Sequence, residues 1–226
     1  MIGVFDSGVG GLNSLFELRR LRPDADLCYY ADEKNAPYGT KTRDELIALV
    51  KRDIEVLKGS GSDEILVGCC TASAVCPYLP REYSERVTTI IEPTAREAVR
   101  ISRGGRIGVL ATAYTKNSFA FEEAIYEADK SVRTFGFIAS ELVSFAERGE
   151  WGGRLSSGAR AAIGALSSLL RARGVDTLIL GCTHFTYFSG AFEQALGIPT
   201  VSAAHVGARL VAERASAGEG KTLFIN

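Results

Sequence analysis

Short apolar runs alternate along the chain with longer stretches in which apolar positions recur every three or four residues. The first pattern predicts buried strands and the second predicts amphipathic helices. Strands are expected at Ile2–Phe5, Leu27–Tyr30, Ile65–Val67, Val87–Ile91, Ile107–Leu110, Val132–Gly136, Thr177–Leu180 and Thr200–Val201, with a last short one at Leu223–Ile225. Helices are expected at Leu12–Arg20, Arg43–Lys58, Pro93–Ser102, Asn117–Asp129, Ser157–Arg173 and His205–Arg214. Gly59-Ser60-Gly61, Gly104-Gly105 and Gly174 fall where helices of this plan must end. Alternation of this kind predicts β-α-β units built on mainly parallel sheets.

The pattern also repeats. Ile2-Gly3-Val4-Phe5 is echoed by Ile107-Gly108-Val109-Leu110. Glu64-Ile65-Leu66-Val67-Gly68-Cys69 is echoed by Thr177-Leu178-Ile179-Leu180-Gly181-Cys182. Either echo alone arises by chance in many α/β proteins. Two echoes in the same order predict a duplication into two pseudo-symmetric α/β lobes, residues 1–92 with 202–226 and residues 93–201. Each lobe is expected to hold a mainly parallel sheet flanked by helices. A pseudo-twofold axis would set Cys69 and Cys182 face to face across an active-site cleft between them.

The 226 residues are 46% hydrophobic and 23% charged, which is enough apolar surface for a buried core. A net charge of −1 argues against a nucleic-acid or membrane partner and leaves a small charged substrate open. No apolar stretch approaches the roughly 18 residues of a membrane span. Met1–Asp6 lacks the basic start and long apolar run of a secretion signal, so a cytoplasmic location is expected. The five cysteines are an odd number for a disulfide framework. No Cys-x-x-Cys spacing occurs and the only histidines are His184 and His205, so no metal site is expected.

Cys69 and Cys182 share one local setting. Each follows a glycine at the end of an apolar run, and a threonine (Thr71 or Thr183) comes soon after. Ligands of open α/β sheets bind beyond the carboxyl ends of the strands. Amide N–H groups after such a glycine can hold a carboxylate and favour a thiolate. Cys28, inside an apolar run, and Cys76, beside Pro77, read as packing. Asp6-Ser7-Gly8-Val9-Gly10-Gly11 follows the first strand and offers an acceptor and a hydroxyl, although it does not match the dinucleotide-binding fingerprint. His184, two residues past Cys182, has the chemistry to adjust a thiol. His205 reads as a capping or surface residue, and Tyr38, in the turn Pro37-Tyr38-Gly39, taken alone reads as structural.

Together these segments resemble glutamate racemases of the aspartate/glutamate racemase superfamily. Ile2 to Gly11 looks like the family's opening segment, Asp32 through Pro37-Tyr38-Gly39 like its second, Gly68-Cys69-Cys70-Thr71-Ala72-Ser73-Ala74 like its third, and Leu178 to His184 like its fourth. The resemblance implies a cofactor-independent racemase that takes a small acidic amino acid and supplies D-glutamate for peptidoglycan, with a homodimer as the oligomer it allows. It also implies that Cys69 and Cys182 are the two acid/base thiols, assisted by Asp6 on one side and by His184 and Glu147 on the other. Ser7, Tyr38, Gly39, Cys70, Thr71 and Thr183 would line the substrate, together with Asp6 and His184. Cys70 stands where the family carries asparagine. That departure keeps two further readings open: a related racemase, isomerase or decarboxylase acting on aspartate or a non-amino dicarboxylate, and an inactive binding or regulatory homologue.

Overall fold

Every strand pairing among the described residues, 1–225 of this computed structural model, is parallel. Two units are present, Met1–Ile90 with the chain from Ala204 onward, and Ile91–Ala203. The first unit runs β1 (Ile2–Asp6), α1 (Leu12–Leu21), β2 (Leu27–Ala31), α2 (Arg43–Gly59), β3 (Glu64–Val67), the one-turn α3 (Cys70–Ser73) and the two-residue β4 (Val87–Thr88). The second runs α4 (Ile91–Ile101), β5 (Arg106–Ala111), α5 (Ala113–Asn117), α6 (Ala120–Ala128), β6 (Arg133–Ile138), α7 (Glu141–Glu147), α8 (Ser157–Ala172), β7 (Thr177–Gly181), α9 (Ser189–Leu196) and β8 (Thr200–Ser202). The chain then returns to the first unit through α10 (Ala203–Ala212) and β9 (Thr222–Ile225).

The sheet orders are β4-β3-β1-β2-β9 and β6-β5-β7-β8. Read from the other edge, the second is β8-β7-β5-β6, the same order as the first without β9. The duplicated sequence therefore builds a duplicated topology. In each unit the IGV strand (β1 or β5) pairs on one side with the strand that follows it and on the other with the strand that ends in Gly-Cys. All five residues of β1 and of β7 are buried, as expected for inner strands of a parallel sheet covered on both faces.

Local chemistry explains the main helices. Thr42 caps α2 through a reciprocal pair: its hydroxyl receives the Glu45 amide, and its own amide donates to the Glu45 carboxylate at 2.8 Å. The inward stripe of α2 is Leu46, Val50, Ile54 and Leu57. Ser156 caps α8, whose inward face carries Ala159, Ile163, Leu166 and Leu170. Ile163, Leu166 and Leu170 join Leu110, Leu178, Leu180, Phe185, Phe188 and Phe192 in the core of the second unit.

Several expectations need correction. The strand expected at Val87–Ile91 stops at Thr88, and Ile91 starts α4; Pro93 sits in its first turn, where no amide donor is required. The single helix expected at Asn117–Asp129 is two, broken at Phe119 in a left-handed conformation (φ 58°). Ser118 closes the first of them by donating to the Thr115 carbonyl at 2.7 Å. The helices α7 and α9 were not expected, being short and rich in serine, glycine and glutamate. His205 is neither a cap nor a surface residue. It lies in the first turn of α10, half-buried, and burial pushes its pKa down. No helix among the described residues is long and apolar enough to cross a membrane.

Strand approach at the two Gly-Cys ends is close. A Cβ added at Gly68 would lie 3.1 Å from the Phe5 carbonyl oxygen, and one at Gly181 would lie 2.8 Å from the Leu110 carbonyl oxygen. The neighbour is backbone in both cases and cannot swing away. Gly181→Ala should therefore destabilise the protein by about 1–3 kcal/mol. Gly164→Ala, on the exposed face of α8 with nothing within 4 Å, should instead stabilise it by roughly 0.5–1 kcal/mol. Denaturant midpoints of the two variants check both signs.

Candidate active site

In the order β4-β3-β1-β2 the chain leaves β1 toward one side and returns on the other, so β1 and β3 flank a topological switch point. Asp6 ends β1 there, and Cys69 follows β3. The Asp6 side chain is fully buried and accepts the Gly8 amide at 3.0 Å. The Ser7 hydroxyl lies between the acid and the thiol, 3.5 Å from Asp6 Oδ1 and 3.9 Å from Cys69 Sγ. A hydroxyl carries one proton. When that proton points to Asp6, the Ser7 oxygen can accept the S–H; when the sulfur is a thiolate, the proton can turn to it.

The loop is held in place by Tyr29, whose hydroxyl donates to the Gly8 carbonyl at 2.6 Å. Gly11 is required below it, because a Cβ there would lie 2.4 Å from Asp6 Cβ. Cys70 and Thr71 open α3 and are buried. That helix is a single turn, because Pro77 and Pro80 divert the chain into short 3-10 turns at Cys76–Tyr78 and Arg81–Tyr83. A one-turn helix has little macrodipole to offer the Cys69 sulfur, so nearby side chains matter more.

The second unit places Cys182 after β7, again beside the switch point, here between β5 and β7. The strand-end acid is missing: the residue of β5 that corresponds to Asp6 is Ala111. The tuning group comes from elsewhere. His184 Nδ1 lies 3.7 Å from Cys182 Sγ, and His184 Nε2 lies 2.6 Å from Glu147 Oε1 at the end of α7. With the Nε2 proton directed at Glu147, Nδ1 faces the sulfur as an acceptor and can take the thiol proton. The hydrogen bond from His184 holds the Glu147 carboxyl below the usual glutamate range, against partial burial that works the other way.

Tyr38 is buried rather than exposed in its turn. Its hydroxyl lies 2.6 Å from both Asp32 Oδ2 and Asp53 Oδ2, so the phenol faces inward. Gly39 beside it is half-buried. Thr183 and His184 begin a 3-10 turn, Thr183–Phe188, and both are buried. The geometry thus gathers Asp6, Ser7 and Cys69 in one unit and Glu147, Cys182 and His184 in the other. All five cysteines are thiols. Cys28 is buried with the Ser60 hydroxyl 3.4 Å away, and Cys76 hydrogen-bonds the Ala72 carbonyl, its thiol pushed up to about 12 by burial. Both therefore do the work of packing. No cluster of histidine, cysteine or acid side chains among the described residues is arranged to hold a metal ion.

Sequence reasoning passed over Asp53 and Arg52. The signal was present: Asp53 falls on the stripe Leu46, Val50, Ile54, Leu57, where an acid has no place unless it is paired.

The family model described as Asp/Glu/Hydantoin racemase matches residues 17–211. The glutamate racemase of Desulforudis audaxviator (strain MP104C) is 38% identical over 197 residues, which is 87% of this chain and 71% of that one. The crystal structure of glutamate racemase isoform RacE1 from Bacillus anthracis superposes with a TM-score of 0.87 at 27% identity, covering 99% of this chain and 86% of that one. The Escherichia coli glutamate racemase, solved with L-glutamate and the activator UDP-MurNAc-ala, gives 0.75 at 31% identity, covering 94% and 80%.

Glu147 is 44% exposed, so its pair with His184 is partly screened by water. Its lowered pKa means that the stability it adds is present above the unfolded value of 4.5 and is lost as pH falls through the folded value. At neutral pH, Glu147→Gln should be less stable than the parent by up to ~1 kcal/mol. That gap should close below pH 4.5, read as the difference in denaturant midpoints.

Proposed function

The chain belongs to the Asp/Glu/hydantoin racemase family, and on that premise we propose that it is a cofactor-independent glutamate racemase in which Cys69 and Cys182 exchange a proton at the substrate's Cα. The observation that carries this reading is the matched placement of the two sulfurs. Each follows a Gly at the end of an inner strand, with a polar partner close by: Ser7 at 3.9 Å from Cys69 and His184 at 3.7 Å from Cys182.

Inverting a stereocentre requires a proton to leave one face of the carbon and another to arrive on the opposite face. Two thiols suit that task, because a reference pKa near 8.5 lets one act as base and the other as acid close to neutral pH. A thiolate takes the Cα proton, and the electron pair of the C–H bond remains as a carbanion conjugated with the α-carboxylate. The second thiol then donates its proton to the other face and becomes the thiolate. The opposite enantiomer runs the same steps with the roles reversed. On the Cys182 side His184 accepts the thiol proton, and Glu147 balances the imidazolium. On the Cys69 side Asp6 acts through the Ser7 hydroxyl. Donors at the strand ends, among them Ser7, Thr71, Thr183 and the Tyr38–Gly39 backbone, would hold the carboxylates and the developing charge. This reading places the enzyme in the cytoplasm, where thiols stay reduced, with D-glutamate for peptidoglycan as its product.

One observation supports a second substrate. Cys70 is buried beside Cys69, and a thiol there cannot give the two amide hydrogens of the family's asparagine. L-Aspartate is therefore the natural comparison.

L-Glutamate and L-aspartate incubated separately in heavy water give the test. Deuterium should enter Cα of the racemised substrate, and glutamate should be the faster of the two. Cys69→Ser and Cys182→Ser should each lower turnover by about 10²–10⁴-fold. Full racemisation by either single variant would sink the two-thiol assignment.

A further inference from the structure

The buried face of α2 carries one carboxyl, Asp53, with no exposed surface. Its Oδ2 lies 2.6 Å from the Tyr38 hydroxyl, and the same hydroxyl lies 2.6 Å from Oδ2 of Asp32, which is also buried. A phenol has one proton and can donate to only one of these oxygens. Two oxygens at that distance require two protons, and the second must sit on a carboxyl.

Charge balance points the same way. Arg52 Nη2 reaches Asp32 Oδ2 at 2.6 Å and Asp53 Oδ1 at 2.8 Å, so one guanidinium serves two acids. If both were ionised, a surplus negative charge would be buried. The two acids differ in support. Burial works against ionisation of Asp32, but hydrogen bonds from Tyr38, Asn35 and Arg52 outweigh it and hold that carboxyl below its ordinary range. Burial pushes Asp53 up to about 6, opposed by Tyr38 and Arg52 and reinforced by the charge of Asp32. Tyr30, on β2, also faces the group, and burial beside the same carboxylates drives its pKa upward. Burial likewise raises Tyr38, so its phenol keeps its proton.

We propose that Asp53 is a positioning residue whose carboxyl takes up the second proton of this group: when it holds that proton it donates to the Tyr38 oxygen, Tyr38 donates to Asp32, and this relay fixes the Tyr38–Gly39 turn against which substrate binds. The part concerning substrate rests on the racemase reading; the location of the proton does not. The sign follows from a folded pKa raised above 3.8. The relay's contribution is complete below that value and is lost as pH rises through about 6. Above it, two acceptor oxygens face one donor hydroxyl and the turn loosens. The KM for glutamate should then rise by up to ~tenfold per pH unit, while kcat, governed by the thiols, follows a separate profile.

Carbon-13 NMR of protein carrying γ-labelled aspartate tests the proton directly, without substrate. One resonance should titrate with a midpoint of about 6 and be absent from Asp53→Asn. If the resonance missing from that variant titrates near the ordinary ~4, the proposal is wrong. Should the variant not fold, the wild-type titration decides, since no aspartate titrating above ~5 overturns the proposal equally. The amide of Asp53→Asn donates to Tyr38 at every pH, so the variant should flatten the KM profile and keep the shape of the kcat profile. An unchanged KM rise would sink the positioning role. Absence of racemisation with the NMR result intact would instead reject the racemase reading and leave the proton assigned.

Discussion

A cysteine follows β3 and another follows β7, and in each case the residue before it is a glycine whose missing side chain lets two strands meet. The Gly68 amide donates to the Phe5 carbonyl at 2.8 Å, and a Cβ on Gly68 or Gly181 would press on the backbone oxygen of the neighbouring strand. Backbone cannot rotate out of the way as a side chain can. The strand that carries the thiol is therefore pinned against the IGV strand at its carboxyl end, and the sulfur lies beside the topological switch point of its own sheet. The polar groups beside each sulfur gather around that point.

Duplication supplied the scaffold twice but not the chemistry. The sheets share one strand order, and the Gly-Cys ends share one backbone arrangement. The groups beside the thiols differ. Asp6 and Ser7 come from the end of β1, whereas the matching position on β5 is Ala111, and the acid of the second unit reaches its thiol from α7 through an imidazole. The consequences for each proton follow from that difference. Asp6 is fully buried, and between it and the sulfur lies a hydroxyl that can both give and accept. Glu147 is partly exposed, and between it and the sulfur lies a ring that can carry a charge, so water and salt screen one side more than the other. On the two-thiol reading proposed above, different tuning suits the two sulfurs, because the two faces of the substrate are not equivalent.

Most of the architecture was legible in the chain because its causes are local. Buried strands of a parallel sheet read as apolar runs, and the capping signals of α2 and α8 stand within three residues of the groups they satisfy. The failures were also local in origin. At Phe119 a left-handed residue breaks what looks like one helix, and α7 and α9 are too short for their periodicity to rise above chance. The two cysteines proposed to be catalytic stood out because the same pair, Gly-Cys, ends two apolar runs. Asp53 was hidden by the opposite circumstance. Its meaning depends on Tyr38 and Asp32, 15 and 21 positions back in the chain, which converge only once α2 packs on the sheet.

By itself the sequence determined the α/β alternation, the duplication, the glycines that let strands approach and the matched setting of the two Gly-Cys thiols, since each is a property of spacing or of one residue type. Only the tertiary structure decided which acid lies near which sulfur, that the Tyr38 phenol faces two carboxyls, and that His205 lies half-buried in a helix turn. Hydrogen bonds between side chains depend on distances of a few tenths of an ångström between elements far apart in the chain, and spacing along a sequence carries no such distance.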